Sequence, residues 1–203
     1  ILSRMENATE TMIHQLERFN FNEAAKVIYE FTWSDFCDWY IEICKVRFQN
    51  QDLDLSNISR AICFRCVQVI LRLLHPYAPF ITEQLWLQFK PSGSKDLIIS
   101  SFPKCQNKYK NKTADQKMEA LKNIVISIRS TRSRMNVPPS KLSELFVRCK
   151  EEERMFLLKN ASLIKTLSKT KHIECGPLIN KPKQSSSSIV DGMELFIPLG
   201  SLV

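Results

Sequence analysis

The chain has 203 residues, 44% of them apolar, and a formal net charge of +8. This length suits one large domain or a medium domain followed by a small one. Its 4 glycines are few for a fold with many tight turns or a phosphate-binding loop, so long helices are favoured. No run approaches the roughly 20 apolar residues that cross a bilayer, and we expect no membrane partner.

The cysteines indicate a reducing compartment. The sequence has 7 of them, an odd number, and several lie inside apolar runs, among them Cys37, Cys44, Cys63 and Cys66. Buried thiols explain this distribution better than a disulfide framework, so a cytoplasmic location is predicted. The segment from Ile1 to Glu6 matches neither a signal peptide nor a natural start. We interpret the sequence as a fragment whose first residues lie within a helix.

The first part of the chain predicts a bundle of long helices. Residues 1–18 carry apolar side chains at helical spacing. Asn20 and Glu23 match a capping box that starts a helix reaching to about Phe48. Its apolar positions form a stripe too wide for a single neighbour: Phe21, Ala24, Ile28, Phe31, Phe36, Tyr40, Ile43 and Cys44.

Three further helical signals follow. Ser56 is placed to cap the next helix, which the prolines at positions 76 and 79 end. Pro79 suits the first turn of another helix, to about Phe89. After a polar connector over residues 95–112, the sequence Thr-Ala-Asp-Gln at 113–116 matches a second capping box and opens a helix that ends near Asn136.

The pattern changes to that of a small α/β unit after Pro139. Leu145, Val147 and Cys149 alternate with polar residues, as in a strand. Asp191-Gly192 between two strand-like runs predicts a two-residue hairpin turn. The other predicted elements are a helix starting at Glu151, a helix capped by Asn160 and ending near Leu167, a strand near 171–175 and a low-complexity loop over 184–188. The predicted fold is mostly α, with an antiparallel helical bundle over residues 1–137 and a small α/β subdomain over residues 138–203.

Positive charge is concentrated in one segment, which indicates a polyanionic partner. Residues 104–150 hold 12 Lys/Arg and 3 Asp/Glu. Lys122, Arg129 and Arg132 lie at helical spacings that place them on roughly one face, where such a row can follow a phosphate backbone. Arg134 joins these candidates, and Lys45 with Arg47 form a second, weaker patch. The alternative is a solvated basic surface without a partner.

Aromatic residues and cysteines offer further candidates. Trp33 and Trp39 lie off the apolar stripe and are able to stack on an unpaired base. Cys63 and Cys66 form a CxxC with no second pair at zinc-ribbon spacing, so we interpret them as buried thiols and not as a metal or redox site. The histidines are isolated from any nucleophile pattern, and the chain contains no catalytic constellation.

Several segments resemble one enzyme family. The segments 21–25 and 33–42 are similar to the long helix in the anticodon-binding domain of the valyl-tRNA synthetases. The segment 74–83 resembles a helix break shared by the valyl, isoleucyl and leucyl class I enzymes. The segments 129–141 and 192–199 resemble the valyl pattern in particular.

This resemblance implies a tRNA-binding module of a valine–tRNA ligase, monomeric as a fragment, that grips the anticodon stem-loop. The parent enzyme would use ATP with Mg to attach valine, whereas the fragment carries no catalytic centre and needs no cofactor. The family's bundle has one more helix upstream, and a coiled coil would follow Val203. On this reading Arg129→Ala or Arg132→Ala weakens tRNA binding. Open alternatives are an isoleucyl or leucyl enzyme, a helical protein-binding scaffold, and a zinc or redox module.

Overall fold

The computed structural model describes residues 1–49 and 52–200. The chain divides into two compact units, Ile1–Asp115 and Gln116–Val203. The first unit is helical and the second combines helices with a sheet, as the predicted fold class requires. No helix within the described residues is long and apolar enough to span a membrane.

In the described part of the first unit the α-helices are α1 (Leu2–Glu17), α2 (Phe21–Glu30), α3 (Glu42–Gln49), α4 (Leu53–Leu74) and α5 (Pro79–Phe89). Two short 3₁₀ turns, Leu97–Ile99 and Asn107–Tyr109, interrupt the predicted connector. The core lies between α1, α2, the segment that follows α2, and α4. Its buried side chains are Met5, Met12, Ala24, Ile28, Phe31, Phe36, Tyr40, Cys44, Cys66, Ile70 and Leu73.

The predicted long helix is confirmed, but its middle is not α-helical. A π-helical segment, Phe31–Ile41, joins α2 directly to α3. The buried residues of this segment, Phe31, Phe36 and Tyr40, are five and four positions apart. A π-helix closes its hydrogen bonds between residues five apart, so this register brings all three to the core side. Phe21, predicted to belong to the stripe, is 54% exposed.

The predicted helix caps are corrected at four places. The Asn20 side chain donates to Gln15 Oε1 and caps nothing. Asp52, not Ser56, caps α4 by accepting the Leu55 N–H at 2.9 Å, and Ser56 is buried inside that helix. Asn111 accepts the Ala114 N–H at 2.9 Å and thereby serves the helix that was expected to start at 113. The Asn160 side chain donates to Phe156 O at 2.8 Å and makes no cap hydrogen bond to the helix that follows it. Asp52 and Asn111 are neighbouring side chains that supply the acceptor needed by the free N–H groups of a first helical turn.

The break between α4 and α5 follows the prolines, as predicted. Pro79 occupies the first turn of α5. The ring of His75 bonds the Thr82 hydroxyl at 2.8 Å across the break. Trp86 is fully buried against Leu71 and Leu97, and its indole N–H donates to Lys95 O at 3.0 Å. The α4–α5 corner therefore has a small core of its own.

The second unit contains most of α6 (Lys112–Arg134), whose first residues belong to the first unit, together with α7 (Glu151–Lys159) and α8 (Ala161–Ser168). Its four strands are β1 (Ser143–Arg148), β2 (Thr170–Gly176), β3 (Ser185–Val190) and β4 (Met193–Pro198). They form one mixed sheet in the order β2-β1-β4-β3. Strand β1 is parallel to β2 and antiparallel to β4.

The predicted hairpin is confirmed, and one predicted loop is wrong. Strands β3 and β4 pair antiparallel, with Val190 opposite Met193. Asp191 (φ 49°) and Gly192 (φ 84°) form the two-residue turn between them. The residues from Ser185 to Ser188, expected to be a loop, lie in β3. Strand β3 is an edge strand, and its backbone forms its hydrogen bonds with the apolar strand β4. The serine-rich composition of this segment does not reveal that β4 pairs with it.

Candidate nucleic-acid interface

Arg132 is an interior residue. It is 6% exposed. Its Nη1 donates to Lys169 O at 3.3 Å, and its Nη2 donates to Pro138 O at 3.3 Å and to Lys141 O at 2.7 Å. Burial lowers the pKa of the guanidinium. The prediction that Arg132 belongs to a phosphate-facing row is therefore wrong, because its donors already hold the segments after α6 and α8 together.

Arg129 and Lys122 remain on α6 but differ in exposure. Arg129 is exposed, and its Nε donates to Leu167 O at 2.8 Å. The Lys122 side chain is only 15% exposed and lies 3.2 Å from a carboxylate oxygen of Glu119. The nearby carboxylate offsets part of the Lys122 charge. Of the predicted row, Arg129 presents the most accessible cation.

Two exposed lysines that the sequence analysis did not select lie beside the Arg132 hydrogen bonds. The carbonyls of Lys141 and Lys169 both accept from that guanidinium, and both lysines are exposed. Arg129 bonds the carbonyl two residues before Lys169. We call Arg129, Lys141 and Lys169 the basic surface. Lys169 is identified only by the structure, because it ends α8 in a left-handed conformation (φ 56°) and lies far from α6 in sequence.

Arg134 is exposed, and its Nη2 donates to the Thr131 hydroxyl at 3.3 Å. Lys45 and Arg47 do not form the second patch. Lys45 is exposed beside Glu42, with 2.6 Å between its Nζ and a carboxylate oxygen. Arg47 is half-buried and donates to the hydroxyl of fully buried Ser59 at 3.2 Å. Residues two apart on a helix point to different faces, so the structure separates this pair.

Trp33 is 54% exposed and has an aromatic neighbour that the sequence analysis did not select. Tyr29, 62% exposed, lies one turn earlier, with 6.4 Å between the ring centroids. A spacing of four on a helix is the signal that identifies such a pair. Trp39 is half-buried. Tyr29 and Trp33, here called the aromatic pair, are both more than half exposed in the first unit.

The CxxC pair lies in the helical core. Cys66 is fully buried and Cys63 half-buried. Burial raises the pKa of the Cys66 thiol to about 12 and also raises that of Cys63. A thiol that stays protonated is a poor metal ligand and a poor nucleophile. The described residues contain no group of three or more His, Cys, Asp or Glu side chains able to hold a metal ion.

Residues 1–147 match the family described as the anticodon-binding domain of tRNA ligase. The chain belongs to this family. Over its whole length it is also similar to proteins named valine–tRNA ligase: 33% identical to that of Halalkalibacterium halodurans, 31% to that of Geobacillus kaustophilus and 32% to that of Enterococcus faecalis. Each alignment covers 100% of this chain and 23% of the relative. The chain therefore spans about a quarter of the length of these relatives.

Proposed function

We propose that this chain binds the anticodon arm of tRNA as part of a valine–tRNA ligase. The observation that carries the proposal is the family match over residues 1–147. The similarity of the whole chain to relatives named for valine favours that amino acid. Valine activation with ATP and magnesium would belong to the remaining part of such a ligase, which would act in the cytoplasm. This chain would contribute binding energy that positions the tRNA.

The basic surface is the proposed phosphate contact. Arg129, Lys141 and Lys169 are exposed, and the buried Arg132 fixes the backbone of both lysines. Cations held on a rigid backbone lose less entropy when they contact a phosphate than cations on a mobile loop. Arg134, exposed at the end of α6, extends the proposed set, and Lys122 contributes less because of its contact with Glu119.

The aromatic pair is the proposed contact for unpaired bases. Both rings are more than half exposed, and base–aromatic stacking contributes about 1–3 kcal/mol per base. Stacking is tolerant of sequence, so this pair would supply affinity, and hydrogen bonds from other groups would have to distinguish the bases.

The test measures tRNA binding by the 203-residue chain with fluorescence anisotropy. We expect one chain to bind per tRNA, with tighter binding to a tRNA carrying the valine anticodon than to one with an altered anticodon. Arg129→Ala and Lys169→Ala should each weaken binding several-fold, and each should flatten the slope of log K against log salt by about 0.7–0.9, because one phosphate contact is lost. Trp33→Ala should weaken binding without changing that slope.

Two control variants change exposed residues, one in each of the two compact units. Lys159→Ala removes an exposed lysine at the end of α7, and Phe80→Ala removes a 91% exposed ring on α5. Both should leave the affinity unchanged. Equal losses of tRNA affinity in the control and test variants would contradict the site assignment. Equal affinity for the two tRNAs with different anticodons would contradict the proposed function.

A further inference from the structure

A small cavity in the helical unit has a charge composition that the anticodon contacts do not explain. Its volume is about 130 Å³, and it lies between α1, α4 and the segment around Lys104. Its polar lining consists mainly of Glu6, Arg65, Gln68, Arg72, Lys104 and Gln106. Lys104 is exposed, so the cavity is reachable from solvent on that side.

Two arginines on one face of α4 supply most of the charge. Arg65 and Arg72 are seven residues apart, two helical turns, and both line the cavity. An aromatic ring holds each guanidinium in place. The central carbon of Arg65 lies 4.8 Å from the ring centroid of Tyr109, and that of Arg72 lies 4.9 Å from that of Trp86. Both cations are therefore fixed before any ligand arrives.

Both arginines keep an unused buried donor. The Nε atoms of Arg65 and Arg72 are buried and, among the described residues, have no hydrogen-bond partner. Leaving a buried donor unsatisfied is costly, more so when it is charged, and such groups in a folded protein call for an explanation such as a bound ion. An anion within reach of the two Nε atoms would supply the missing acceptors.

The carboxylate in the cavity does not balance the cations. Glu6 is 2% exposed. Its Oε2 accepts the Gln106 N–H at 2.6 Å, and its Oε1 lies 3.7 Å from Arg65 Nη2. Three cationic side chains and one carboxylate thus line the cavity. Burial and the neighbouring charge of Arg65 lower the pKa of Arg72, as expected for like charges without full compensation.

We propose that this cavity binds the phosphate group of a small phosphomonoester. The excess of two positive charges matches the −1.5 to −2 charge, roughly, of a phosphomonoester near neutral pH. Guanidinium groups bond phosphate oxygens in pairs. The cavity volume of about 130 Å³ leaves room for a phosphate group. The rest of the ligand would lie outside, near Lys104.

The experiment uses the 203-residue chain with inorganic phosphate and with AMP as probes, at constant ionic strength. Binding is followed by ³¹P NMR line broadening and by the melting temperature. We expect saturable binding of both probes. Arg72→Met removes the guanidinium but keeps an unbranched apolar side chain, and it should weaken binding about tenfold or more. Lys104→Met, at an exposed position that tolerates the change, should weaken it a few-fold.

Arg60→Met is the matched control. Arg60 lies on the same helix, stacks on the Phe48 ring at 5.3 Å and does not line the cavity, so phosphate affinity should not change. Three results would overturn the assignment: no saturable phosphate binding, equal stabilisation by sodium chloride, or displacement of phosphate by an RNA oligonucleotide without terminal phosphates but not by AMP. Each is independent of the basic surface and the aromatic pair, so failure here leaves the anticodon proposal intact.

Discussion

Three backbone carbonyls meet at the guanidinium of Arg132, whose charge is buried. A buried cation is tolerated when its donors are satisfied and the carbonyls would otherwise lack partners. Arg132 thus joins the turn after α6, the start of β1 and the left-handed turn after α8. Arg129 on the same helix is exposed and is a proposed phosphate contact, although the sequence spacing groups it with Arg132.

Replacing Arg132 should affect stability before it affects binding. Arg132→Met leaves three carbonyls with fewer donors, and we expect the free energy of unfolding to fall by about 3 kcal/mol. Urea denaturation followed by circular dichroism measures this loss. Arg134→Met, at an exposed position on the same helix, should change stability by less than about 0.5 kcal/mol. Equal stabilities of the two variants would contradict the structural role of Arg132.

The core thiols make stability depend on alkaline pH. Burial raises the pKa of Cys66 to about 12 and that of Cys149 to about 11, whereas an unfolded cysteine titrates near ~8.5. The folded state therefore holds these protons longer. Their stabilising contribution is complete below about pH 8.5 and is lost as the pH rises toward the folded values.

The free energy of unfolding should fall between pH 8.5 and pH 10.5, by at most about 1.4 kcal/mol per pH unit for each such thiol. Cys66→Ala should be less stable at pH 7 because it leaves a cavity, but its stability should fall less steeply with pH. Urea titrations at several pH values measure both quantities. A variant with the same pH slope as the parent chain would show that Cys66 does not titrate in this way.

Among the structural elements, the segment Phe31–Ile41 and the β3–β4 hairpin differ in how far their local sequence specifies their conformation. The apolar residues of the π-helical segment predicted a helix, but their spacing of five and four did not specify its register. Packing against α1 and α4 selects the register that buries Phe36 and Tyr40. The hairpin is more local, because Asp191 and Gly192 adopt the positive φ values of the turn themselves.

Gly192 should tolerate alanine poorly. Its φ of 84° is strained for a residue with a Cβ, although open space surrounds the position, so Gly192→Ala should cost about 1 kcal/mol of unfolding free energy. Gly176→Ala is the control, because Gly176 has no positive φ and an added Cβ would lie 3.8 Å from Arg154 Cδ, an ordinary contact. Thermal denaturation compares the two, and an equal effect would argue against backbone strain at Gly192.

At the scale of the whole molecule, the positive charge is divided between the two compact units. The basic segment over residues 104–150 crosses the unit boundary after Asp115. Lys104 lines the cavity of the first unit, while Arg129 and Lys141 belong to the basic surface of the second. The net charge of a sequence segment therefore indicates an anionic partner. It does not show which surface of the protein binds that partner.

Local sequence was enough to predict the helical unit followed by an α/β unit, the long helix, the break before Pro79, the Asp191-Gly192 turn and the family. These features depend on local periodicity, turn residues and motifs, which are properties of neighbouring positions. Three-dimensional contacts were needed to show that Arg132 is buried, that Arg47 bonds Ser59 and that the segment from Ser185 is a strand. The same holds for the contact of Arg129 with the end of α8, two residues before Lys169. Burial and pairing depend on distant partners, and the 3.6-residue period of a helix does not distinguish a cation that faces solvent from one that faces backbone carbonyls.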